Sequence, residues 1–180
     1  MKTKRIPKVV TIPDSAFQSS KGRFFIGQSG TLTISKGLNA WAGLINPRNS
    51  RINIVFDIFA VSNFSENAID AQIFFNSIPP DIENAVISEN VTPANTTLCP
   101  LSAPRTLVVY NDNVTGFPVG GVSPFRRIIP SLQTVEGIDN GKIMIPPGGS
   151  FVIFIPGMAD GRAFISFGWW EKKISSKKKS

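Results

Sequence analysis

Nowhere does an apolar stripe recur at helical spacing for ten residues. Short runs rich in Ile, Val and Phe are instead cut at close intervals by turn residues. The breakers are residues 27–30, Asn46-Pro47-Arg48-Asn49, Ile78-Pro79-Pro80-Asp81, Gly120-Gly121, Asp139-Asn140-Gly141 and Pro146-Pro147-Gly148-Gly149. Gly supplies positive φ and Pro removes a ladder donor, so such clusters end strands. Between them, 22 Ile, 13 Val and 14 Phe supply side chains that suit a pleated surface. Strands are predicted at 23–26, 31–35, 51–61, 69–76, 106–110, 131–135, 142–145, 150–155 and 162–171, with a further one at 85–88. An all-β fold follows: a single antiparallel β-sandwich, of the jelly-roll kind.

Charge divides the chain. The net +7 is split as +5 in residues 1–30, −2 in 31–170 and +4 in 171–180. Three parts are expected: an extended N-terminal arm (1–22), a sandwich domain (23–171) and a basic tail (172–180). The arm contains a β-prone patch, Val9-Val10-Thr11-Ile12, between Pro7 and Pro13. Fully extended, 22 residues reach about 70 Å. Val9, Val10 and Ile12 are therefore candidates for adding a strand to a neighbour's sheet. The five-residue run Phe151–Ile155 is the densest apolar stretch, far short of the ~20 residues of a membrane span. No apolar stretch follows the basic start, so a cytoplasmic site of synthesis without a signal peptide is expected.

Alternation along the predicted strands places too many large apolar residues on faces that should meet water. Phe59 falls opposite Ile58 and Ala60, Phe74 opposite Ile73, and Phe164 and Trp170 opposite Ile165 and Trp169. The run containing Phe154 is apolar on both faces. A sandwich with one wet face per sheet carries polar residues there. Phe59, Phe74, Phe154, Phe164 and Trp170 are thus candidate interface residues, to be covered by other copies or by the long loop expected at 111–130.

The chain has no His and one Cys. That removes Ser-His-Asp and Cys-His catalysis and His metal ligation. Cys99, between Leu98 and Pro100, has no neighbouring base and reads as a loop or buried thiol. Asp57, Asp81 and Glu83 form no recognisable catalytic pair. The sequons at Asn63, Asn90, Asn95 and Asn113 read as chance in a chain of this composition. No catalytic residue, cofactor or metal is expected, and the chain is not expected to be an enzyme. Trp41 and Trp170 are candidate glycan contacts, although Trp169 and Trp170, being adjacent on a strand, point to opposite faces.

Four strings carry a resemblance: Trp41-Ala-Gly-Leu-Ile-Asn-Pro-Arg-Asn-Ser50, Pro93-Ala-Asn-Thr-Thr-Leu-Cys-Pro100, Pro146-Pro-Gly-Gly-Ser150 and Phe167-Gly-Trp-Trp-Glu171. Over 23–171 the chain resembles an uncharacterised family of small β-rich proteins from spore-forming Gram-positive bacteria. In organisation it is similar to the jelly-roll subunits of spore appendages. Those have N-terminal arms that join neighbouring subunits, typically through arm cysteines. This arm has none, so the resemblance implies docking without cross-links. It implies a spore or particle surface, reached after lysis, and other surface-layer proteins as neighbours.

The expectation is a structural protein that self-assembles into a fibre, ring or shell through sheet faces and arm exchange. A carbohydrate-binding β-sandwich module is the alternative. A capsid-like protein binding nucleic acid through its basic ends is a second one.

Overall fold

The computed structural model describes residues 11–174. In chain order these form a helix, α1 (Asp14–Ser20), and twelve strands: β1 (Phe24–Gln28), β2 (Leu32–Ile34), β3 (Asn39–Ile45), β4 (Ile52–Asn63), β5 (Ile69–Phe75), β6 (Val86–Ile87), β7 (Val91–Pro93), β8 (Leu107–Val114), β9 (Val122–Ile129), β10 (Thr134–Ile145), β11 (Ser150–Ile155) and β12 (Gly161–Lys173). One sheet runs β10-β4-β12-β1-β7, with β2 beside β12, and the other runs β6-β8-β3-β11-β5-β9. Eight of these strands alternate between the layers as a jelly roll does. The order β1-β12-β4-β10 faces β3-β11-β5-β9, and the remaining strands extend the two sheets.

The core lies between the layers. Phe56 stacks on Phe151 with ring centroids 4.1 Å apart, and Phe59, Phe75 and Phe167 surround the same ring. Trp169 is buried beside Phe25. Each such side chain contributes about 1.5–3 kcal/mol through lost contact with water.

β4 departs from the alternation read from its sequence. Against β12, Gly168 pairs with Ile58 and Trp169 with Phe56. Against β10, Ile138 pairs with Ile58 and Ile143 with Phe56. Asp57 is the extra residue in both ladders, a β-bulge. It shifts the phase: Ile52, Ile54 and Phe56 point inward before it, and Phe59, Val61 and Asn63 after it.

Three further expectations change. Residues 14–20 of the arm are helical, and α1 lies against β1 and β12. Thirteen residues precede the helix, a length that could reach at most about 45 Å. Positions 111–130 are not one loop but the end of β8, a short crossing and the whole of β9. The strands expected at 131–135 and 142–145 are one strand, β10. Within it Asp139-Asn140-Gly141-Lys142 loops out opposite Asp57, with Asn140 and Gly141 both at positive φ. Among the described residues, no helix is long and apolar enough to cross a membrane.

Candidate functional site

β9 and β10 are edge strands of opposite sheets, joined by residues 130–133, and together make one side of the sandwich. Seven consecutive residues of β9, Val122 to Ile128, are exposed, so the strand meets solvent on both faces. Val122 is 65% exposed, Phe125 41% and Ile128 73%. On β10, Ile138 and Met144 are exposed as well. Eight residues of β9 and, on either side of the loop at 139–142, eight of β10 thus lie beside large apolar side chains, a template for pairing with another strand.

Charge and proline qualify that edge. Pro124 offers no N–H, and Arg126 and Arg127 project from it. The Arg126 guanidinium grips Asp70 of β5 through two hydrogen bonds of 2.6 Å, Nε to Oδ1 and Nη2 to Oδ2. Burial opposes ionisation of Asp70. The hydrogen bonds from Arg126 and Gln72 and the charge of Arg126 outweigh it and hold the carboxyl below its ordinary value. Arg127 stacks over the Phe125 ring at 5.7 Å.

Beside β10, an apolar trough of about 420 Å³, lined by residues of β1, β4, β7 and β12 and by Asn90, lies on the outer face of the same sheet. One row of paired residues, Ile138, Ile58, Gly168, Ile26 and Thr92, runs over five strands. Gly168 keeps the floor low, since a Cβ there would press on Ile58 Cγ2. At one end of the row stand Asp57 and Asp139. Burial, then the charge of Asp139, pushes the Asp57 carboxyl up. Burial also pushes Asp139 up, against the pull of Lys142 and Arg127.

The residues singled out from the sequence are placed as follows. Val9 and Val10 lie outside the described residues, whereas Ile12 is exposed. Phe59 is in the core because of the bulge at Asp57. Phe154 is fully buried beneath Phe74 and Phe117, so this chain's own crossing segment covers it. Trp170 is buried with Phe24 and Val55. Phe59, Phe154 and Trp170 therefore have no surface to offer a neighbour. Phe74 and Phe164 are half-buried, Phe164 edge-on to Phe64. Trp41 is fully buried and its indole N–H donates to the Pro80 carbonyl at 2.9 Å. Neither Trp41 nor Trp170 presents a ring face for sugar stacking. Cys99 is an exposed loop thiol. Sequence reasoning missed Val122, Phe125, Ile128, Ile138 and Met144.

The strand order and two-layer core define the class, an antiparallel jelly-roll sandwich. Within it, the chain belongs to a family of unknown function (DUF6143), whose model matches residues 1–177. No curated protein and no solved structure matches the chain.

Proposed function

We propose that the protein is a structural subunit that associates with copies of itself along the β9–β10 side, with the segment around Ile12 as a strand donor to a neighbour. The observation that carries the reading is the exposure of β9 on both faces with Val122, Phe125 and Ile128 uncovered. A strand without a covering layer gains by burying such residues, at about 25 cal/mol per Å². Pro124, Arg126 and Arg127 restrict which strands can pair there, and so favour one defined contact over general aggregation. A contact between different patches that does not close makes a fibre, and one that closes makes a ring or shell. The spore or particle surface, with other surface-layer proteins as neighbours, is the setting that the sequence resemblance suggests.

The test is light scattering and negative-stain electron microscopy of the full chain beside V122K/I128K and V9D/V10D/I12D variants. Regular assemblies for the native chain, lost in the edge variant and lost or disordered in the arm variant, are expected. A native chain that stays monomeric at high concentration overturns the reading.

A further inference from the structure

The twelve acidic residues all fall within 11–174, where twelve Lys and Arg balance them. The net charge of +7 is carried entirely by residues 1–10 (+4) and 175–180 (+3). Inside the neutral body the cations are unevenly placed. A groove of about 700 Å³ at one end of the sandwich is bordered by Lys21, Arg23, Arg105, Lys172 and Lys173, against Asp14 and Glu171. All five cations are exposed. The one ion pair among the described residues is Arg126–Asp70, so none of the five is neutralised there. Glu171 is engaged elsewhere: one carboxylate oxygen accepts from the Arg105 and Thr106 backbone N–H groups and the Thr106 hydroxyl, at 2.7–2.9 Å. Those bonds fix the loop that carries Arg105, whose guanidinium donates to the Ser50 carbonyl.

Both basic segments are tethered at this groove. Asp14 on its wall is four residues from Val10, and Lys173 is two from Ser175. Beside the cations, a row of apolar residues crosses the sheet, Met144, Val55, Trp170 and Phe24, with Met144 uncovered.

We propose that this groove binds single-stranded nucleic acid through its phosphate backbone. Unpaired cations match the phosphates. Met144, exposed beside them, offers an apolar contact to an unstacked base of a single strand, which a polyphosphate lacks.

The test is fluorescence anisotropy of a labelled oligo-dT strand with the full chain across a salt series. Binding is expected to weaken with log salt at about 0.7 per phosphate neutralised. The triple variant R23E/K172E/K173E should bind at least tenfold more weakly with a slope lower by about 2, because three phosphate contacts are gone. Met144→Ser should weaken binding with the slope unchanged. All four sites are solvent-exposed, and circular dichroism checks that each variant is folded. A triple variant that binds within twofold of the native chain at the same slope assigns all binding to the tails and overturns the groove. Displacement by polyphosphate as efficiently as by unlabelled oligo-dT overturns the choice of ligand. In the V122K/I128K background the same triple substitution should still cost at least tenfold, which separates the groove cations from self-association at β9.

Discussion

Gly141 lies against the indole of Trp170: a Cβ at position 141 would overlap the ring. Residues 139–142 of β10 loop out opposite Asp57, and their glycine closes over Trp170 and Val55. Gly141→Ala meets two penalties, the overlap and a φ of +74°. We expect a loss of about 1–3 kcal/mol. Urea unfolding measures it, and an unchanged midpoint would contradict this packing.

Asp57 and Asp139 should make the fold more stable in mild acid than their number alone suggests. Their folded pKa values are raised, so the native state holds more protons than the unfolded chain between the ordinary and the raised value. Stability contributed by these two groups therefore falls as pH rises through that window and stays lower above it. Asp57→Asn removes the penalty. Its thermal midpoint should exceed the native one at pH 7, with the gap closing below about pH 4, where the unfolded carboxyl also protonates.

Asp70 has the opposite sign. With its folded pKa depressed, it contributes stability above the ordinary carboxylate range, lost as pH falls through the folded value. Arg126→Ala leaves the burial in place and removes the partner. In that variant Asp70 should titrate above an ordinary aspartate, as NMR of its side-chain carbon would read. A pKa that stays depressed would mean that Gln72 alone holds the anion.

Buried and exposed apolar residues should respond to substitution in opposite assays. Phe59→Ala opens a cavity beside Phe56 and Phe151 and should cost about 3–5 kcal/mol. Ile128→Lys, on an open strand, should change folding stability by no more than about 0.5 kcal/mol while lowering association. Melting curves and light scattering on the same two variants separate the roles.

Turn residues and alternating apolar runs made the sandwich legible in the sequence, because both effects are local. What escaped was set by pairing. The bulge at Asp57 shows only in pairing with β12 and β10, strands more than 80 positions away, so Phe59 read as outward when it is a core residue. β3 is buried along nearly its whole length and built partly of Ala40, Ala42 and Gly43, so it shows no alternation. Gly43 is there because its backbone approaches the Phe151 carbonyl too closely for a side chain. β9 shows no alternation for the opposite reason: both of its faces meet solvent, and Pro124 disguises it as loop. The basic groove draws on positions 21–23, 105 and 172–173, which the closing of β1 against β12 and the Glu171 bonds to the loop before β8 bring together.

A chain cut to residues 11–174 would carry no net charge near neutral pH, and without that mutual repulsion its open β9 edge should associate less selectively. The colloidal charge of the molecule is held by its first ten and last six residues, and its strands by the neutral stretch between them.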